Sequence, residues 1–166
     1  MSDTPRSYTD AVEVPGEVLA QVIGWVRSPF TERHGTPRQP GLSSAREAGV
    51  VEATVQLDPK WVHPDALQDL ASFDHVWLIS WLHLNGRRRR PLVRPPRGGP
   101  RRGVLATRAP HRPNPIGLSA VRLVSVHHLE LKVLGIDLLD RTPVLDIKPY
   151  IPDFDAIEGA SRGWLG

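Results

Sequence analysis

Short stretches of period-two hydrophobicity, each closed by proline, glycine or another turn residue, recur along this chain and favour an antiparallel β architecture. The clearest lies at Val51, Ala53, Val55 and Leu57, which alternate with Glu52, Thr54 and Gln56 and predict a half-buried strand with its polar face outward. Glu17 to Arg27 (EVLAQVIGWVR) is apolar on both parities and predicts a strand buried on both faces. In Phe73 to Leu84 (FDHVWLISWLHL), strand geometry gathers His75, Trp77, Ile79, Trp81 and His83 on one face. Further strands are expected at Val104 to Thr107, Ser119 to Val126, Leu129 to Asp137 and Val144 to Ile147, with a long loop over Ser28 to Ser44. A short helix opens near Pro64 and carries Ala66, Leu67 and Leu70 inward. This pattern predicts a mostly-β domain, a barrel or a sandwich, with short helices and long loops.

The chain of 166 residues suits one domain, expected over residues 17–166 behind a loose polar arm at residues 1–16. It has no cysteine, so disulfides, thiolate metal ligands and cysteine nucleophiles are excluded, and a cytoplasmic setting is the expectation. No apolar run approaches the roughly 20 residues of a membrane helix. No metal site is assigned: His75 and His83 would stand about 27 Å apart on a straight strand, and no HExxH spacing occurs. Neither GxGxxG nor GxxxxGK[ST] is present, which leaves Rossmann and P-loop nucleotide sites unsupported.

The net charge of +3 conceals an asymmetry. Arg87 to Arg102 (RRRRPLVRPPRGGPRR) carries eight arginines and no acid, and the rest of the chain holds 13 basic against 18 acidic residues. Arginine forks suit phosphates, so this loop, with Arg94 and Arg97 inside it, is either a phosphate-binding patch or a solvated charged loop.

Two clusters have the residue types of a reaction site. In ATRAPHRPNPIGLS, Ala106 to Ser119, Pro110, Pro113 and Pro115 fall within six residues and stiffen a loop that displays Arg108, His111, Arg112 and Asn114. Such a frame lowers the entropic cost of holding a ligand, although a purely structural loop over a barrel end would look the same. In GIDLLDRTPVLDIKPY, Gly135 to Tyr150, Asp146, Lys148 and Tyr150 share one parity. A carboxylate, an amine and a phenol on one face can move a proton, or form no more than a surface ion pair beside a tyrosine.

Four segments taken together resemble the TsaA-like family of tRNA methyltransferases (TrmO or YaeB). They are IGWVRSPF and TPRQPGL within Ile23 to Leu42, FDHVWLISWLH, GVLATRAPHRPNPIGLS, and LLDRTPVLDIKPYIP at Leu138 to Pro152. The resemblance spans about Leu19 to Pro152. It implies a small β-barrel methyltransferase outside the Rossmann class that binds S-adenosylmethionine and works as a homodimer. It further implies cofactor contacts from Gln39, Pro40, Gly41, Leu82, His83, Arg108, Ser119, Gly135, Ile136, Asp137 and Leu138. The implied acceptor is the N6 nitrogen of threonylcarbamoyladenosine beside the tRNA anticodon. Asp146, Lys148, Tyr150 and Asn114 are then the expected catalytic side, with His111, Arg112, Arg94 and Arg97 holding the RNA. Two departures from the family are Arg141, where glycine is common, and the variable His111 position. Two alternatives stay open: a methyltransferase of a small molecule or peptide, and a non-catalytic RNA-binding module.

Overall fold

The computed structural model describes residues 15–32, 35–37, 51–86, 90–96 and 98–166. Six strands close into a barrel: β1 (Gly24–Arg27), β2 (Glu52–Leu57), β3 (His75–Trp81), β6 (Ile116–His127), β7 (Glu130–Leu134) and β8 (Pro143–Pro149). Around the barrel the order is β1, β2, β7, β6, β3, β8 and back to β1, and every pairing is antiparallel. A separate two-stranded ribbon, β4 (Leu92–Val93) with β5 (Arg102–Gly103), belongs to the arginine-rich segment.

Alternation explains the core. Each strand turns every second residue inward, and Val26, Val55, Leu57, Val76, Leu78, Val121, Leu131, Val133 and Val144 are all at most 2% exposed. Fully burying one such side chain is worth about 1.5–3 kcal/mol, so these residues dominate the stability of the barrel. Closure on the β1 side needs close approach: a Cβ on Gly24 would run into the β2 backbone, 2.9 Å from the Leu57 Cα. Glycine at that position lets the two strands meet.

The expected strands over 51–57, 73–84, 119–126 and 144–147 form, with bounds shifted by a few residues. Three expectations are corrected. Only Gly24–Arg27 of the 17–27 run is a strand. It alternates buried and exposed, because a single-layer barrel covers one face only, while Val18 and Leu19, which precede the strand, are 82% and 100% exposed. Val104–Ala106 is a 3-10 turn closed by the Thr107 amide donating to the Val104 carbonyl, not a strand. The strand expected over 129–137 stops at Leu134, where Gly135 takes a φ of 82°. Near Pro64 the helix is a 3-10 turn, Pro64–Leu67, followed by a second at Leu70–Ser72; Leu67 and Leu70 pack on the core and Ala66 is left exposed. No described helix is long and apolar enough to cross a membrane.

Candidate active site

The proline loop is braced at several points. The Arg112 guanidinium donates to the Thr107 carbonyl at 3.2 Å, and the Thr107 hydroxyl donates to the Val104 carbonyl at 2.9 Å. The Leu82 amide donates to the Pro115 carbonyl at 2.8 Å, which ties the end of β3 to the loop's exit. From outside, the Trp164 indole donates to the Ala106 carbonyl at 2.8 Å, with the Arg102 guanidinium 5.2 Å from its ring centre. Rigidity inferred from three prolines is thus reinforced by tertiary contacts.

At the loop's two ends stand Arg108 and Ser119, and both converge on Asp137. The Ser119 hydroxyl, buried on the inner face of β6, donates to the Asp137 carboxylate at 2.6 Å. Burial pushes the Asp137 carboxyl above its ordinary range, and the Ser119 hydrogen bond, the Asp137 backbone amide and the Arg108 charge pull it partly back. The neighbours Ile136 and Leu138 are buried in the core and anchor the segment, while Gly135 supplies the turn before it. Leu82 packs against the core beside Gly117, and His83 is exposed at the start of a 3-10 turn. Gln39, Pro40 and Gly41 lie outside the described residues, as does Arg97.

One polar group near this end was not singled out from sequence. Ser80 is fully buried and its hydroxyl has no hydrogen-bond partner among the described residues. It faces Gly117 directly across the β3–β6 pair, so closely that a Cβ on Gly117 would collide with it. The signal was present in FDHVWLISWLH, where Ser80 follows Val76 and Leu78 as the one hydroxyl on the inward parity.

The acceptor-side residues gather on the other side of the wall. Ile79 pairs with Asp146, and Trp77 with Lys148, so these groups point outward from the barrel. The Lys148 ammonium lies 2.8 Å from the Asp146 carboxylate, whose other oxygen accepts from the Ile147 amide at 2.9 Å. Tyr150 packs against Trp77 with ring centres 5.4 Å apart and planes tilted by 54°, and meets the edge of His75 at 6.2 Å. Shared parity therefore does produce one cluster of Asp146, Lys148 and Tyr150. Within one chain, however, β3 and β8 stand between this cluster and the inward Ser119. Asn114 is exposed at the proline loop, where its carbonyl accepts from the Ile116 amide at 2.7 Å.

His111, Arg94, Arg90 and Arg101 line a separate hollow between the proline loop and the β4–β5 ribbon. Arg112 is turned instead to its bond within the loop. Another surface hollow, about 780 Å³, lies elsewhere, beside β1 and β2. Among the described residues no group of three or more histidine, aspartate or glutamate side chains could hold a metal.

The family described as tRNA-methyltransferase O N-terminal domain matches residues 25–156. The chain belongs to this family. It is 48% identical over 145 residues to a Pseudomonas aeruginosa protein named putative S-adenosylmethionine-dependent methyltransferase RcsF, covering 85% of this chain and 60% of that one. It is 41% identical over 150 residues to the Escherichia coli tRNA (adenine(37)-N6)-methyltransferase, covering 86% and 61%. A crystal structure titled TrmO superposes with a TM-score of 0.73 at 43% identity, over 89% of this chain and 64% of that one. The chain thus spans about 60% of the length of these bacterial relatives.

As a member of the tRNA-methyltransferase O family, the chain has arginine at 141 where the sequence resemblance leads one to expect glycine, and the backbone conformation there is one that glycine adopts without strain. Arg141 has a φ of 61°, in the left-handed region, while its amide donates to the Val26 carbonyl at 2.7 Å. The turn is held by the Ser28 hydroxyl donating to the Leu138 carbonyl at 2.8 Å and the Ser28 amide donating to Asp140 at 3.2 Å. These bonds hold the Asp137 segment against β1.

Proposed function

We propose that this chain binds S-adenosylmethionine at the Arg108–Ser119–Asp137 end of the barrel and methylates the N6 nitrogen of adenosine 37 in tRNA, in its threonylcarbamoyl form. The observation that carries the reading is the Ser119–Asp137 contact at 2.6 Å with the Arg108 charge acting on the same carboxylate. A cofactor with a carboxylate, an ammonium and a sulfonium needs one fixed cation and one fixed anion in a partly desolvated place, and the residues present fit that requirement. When bound, the cofactor supplies an electrophilic methyl group.

The chain's own residues do the rest. Arg108 receives the cofactor's carboxylate, Asp137 balances its positive charge, and Ser119 fixes the orientation of Asp137. The acceptor nitrogen carries a proton and an acyl neighbour, so it is a poor nucleophile and must be held in line and relieved of that proton. Asp146 accepts the proton, with Lys148 balancing the carboxylate, Tyr150 and Trp77 providing an aromatic surface for the base, and Asn114 orienting the acyl group. Side-chain exposures of 65% at Lys148 and 45% at Asp146 suit a base presented by a large substrate better than an enclosed small molecule. The chain works as a cytoplasmic homodimer, a reading supported by the apolar strip that β3 and β6 leave on the outside of the barrel.

Incubation with methyl-labelled cofactor and tRNA from cells with and without threonylcarbamoyladenosine tests this. Label is expected at N6 of position 37 and only when that modification is present. Label on unmodified tRNA would correct the acceptor, and its absence from both would remove tRNA methylation. At saturating cofactor, Asp146→Asn and Tyr150→Phe are expected to slow transfer by about 10²-fold or more. Near wild-type rates would eliminate both roles.

A further inference from the structure

We propose that the hollow between the β4–β5 ribbon and the proline loop is a nucleotide pocket, which takes a phosphate and base of the RNA strand next to the target adenosine. The proposal rests on the tRNA reading above and adds a discrete second site to it. Arg90, Arg94 and Arg101 surround the hollow, Leu92 and Val93 supply an apolar surface, and His111 comes from the proline loop. Its volume of about 730 Å³ falls within the range of small-ligand sites, roughly 300–1,000 Å³.

Three observations point to a ligand rather than a solvated loop. First, three guanidinium groups face one concavity with no ion pair to a carboxylate among the described residues, and the sequence from Arg87 to Arg102 contains no acid. Their mutual repulsion is relieved by an anion, and guanidinium forks suit phosphate oxygens. Second, His111 Nδ1 is buried with no hydrogen-bond partner among the described residues, an arrangement that is destabilising unless something supplies the partner. The His111 carbonyl accepts from the Arg90 amide at 3.3 Å, so the ribbon and the loop are joined where the imidazole is held. Third, the lining mixes charge with apolar surface. Phosphate alone would use only the arginines, whereas a nucleotide uses both, with its base on Leu92 and Val93 and a sugar or phosphate oxygen at His111.

Position along the chain links the pocket to the reaction. Arg108, at the cofactor end, and His111, in the hollow, are three residues apart on one proline-stiffened segment, at most about 11 Å of extended chain. A nucleotide held at His111 is therefore close enough to fix the register of its neighbour, and general phosphate attraction cannot supply that.

The test uses the full chain in two arms. In the first, tRNA binding is titrated over a salt series for wild type, for the Arg94→Gln/Arg101→Gln double variant, and for Lys132→Gln on β7 as a control. Each lost phosphate contact lowers the slope of log K against log salt by roughly 0.7–0.9, so the double variant is expected to lose about 1.5 and the control nothing. In the second arm, the His111 imidazole resonance is followed by NMR during titration with uridine 5′-monophosphate, chosen because it lacks adenine, and with inorganic phosphate. The nucleotide is expected to shift the resonance at concentrations where phosphate does not, and the double variant is expected to lose that shift. Calorimetric titration with S-adenosylmethionine in the double variant should match wild type. Wild type that binds tRNA with a salt slope untouched by the arginine changes overturns the pocket alone. Wild type that takes the mononucleotide but no tRNA overturns the tRNA reading and the RNA-strand occupant with it. An equal response to phosphate and nucleotide overturns the base-binding half.

Discussion

A carboxyl group withdrawn from water holds its proton longer, and Asp137 shows the effect: burial raises it above the ordinary value of 3.8, and the cation of Arg108 opposes the rise. Between the ordinary and the raised value the folded chain binds a proton that the unfolded chain has lost, so stability falls as pH climbs through that window. Ionised Asp137 therefore destabilises the fold at neutral pH and is kept for its charge. Asp137→Asn is expected to raise the melting temperature at neutral pH by about 1–3 °C and to weaken S-adenosylmethionine binding at least tenfold. Affinity for the cationic cofactor should fade as pH falls through the folded-state pKa of Asp137. Arg108→Ala removes the group that pulls this pKa down, so the midpoint of the fade should move to higher pH even as overall affinity drops. Calorimetric titrations across the acid range give that midpoint, and an unmoved midpoint would sink the pairing.

At the scale of elements, what could be read from sequence followed how regularly each strand alternates. β2 was legible because its apolar and polar residues alternate without interruption, and β8 because Asp146, Lys148 and Tyr150 keep one parity across its end. β1 is shorter than its apolar pattern, since Glu17 to Ile23 is apolar on both parities and nothing local says where pairing begins; the contacts of Gly24 with β2 and β8 decide it. Parity also could not tell which face of β8 lies inward. That depends on register, with Leu78 opposite both Ser119 and Ile147, which puts Asp146 outside and Ser119 inside. The Ser119–Asp137 contact joins residues 18 apart through a barrel end, and no periodicity encodes it. The same register forces glycine at 117. A Cβ there would collide with Ser80 and lie 3.1 Å from Leu82 Cδ2, so Gly117→Ala is expected to cost about 1–3 kcal/mol in denaturant unfolding. Adding Ser80→Ala removes the struck hydroxyl and should restore most of that loss, a coupling that a double-mutant cycle measures. Additive costs would place the strain elsewhere.

For the whole molecule, the barrel's outer surface is the unfinished part. Trp81, Ile116 and Leu118 are 37%, 44% and 53% exposed, and register sets Trp81 opposite Ile116 and Ile79 opposite Leu118, so they form one continuous strip across β3 and β6. Apolar surface gathered this way is what an obligate partner covers. A homodimer through this strip predicts that Leu118→Lys, which puts a charge into the contact without disturbing the core, yields a monomer. Sedimentation should report the halved mass while the unfolding profile stays that of a folded barrel. Activity then separates two arrangements of the site. Asp146, Lys148 and Tyr150 lie outside the wall and the Ser119–Asp137 pair inside it, so a site completed by the second copy would leave the monomer with intact cofactor binding and little methyl transfer. A monomer that transfers methyl groups at the dimer's rate would put the acceptor path within one chain, around the barrel rim past Asn114 and the proline loop.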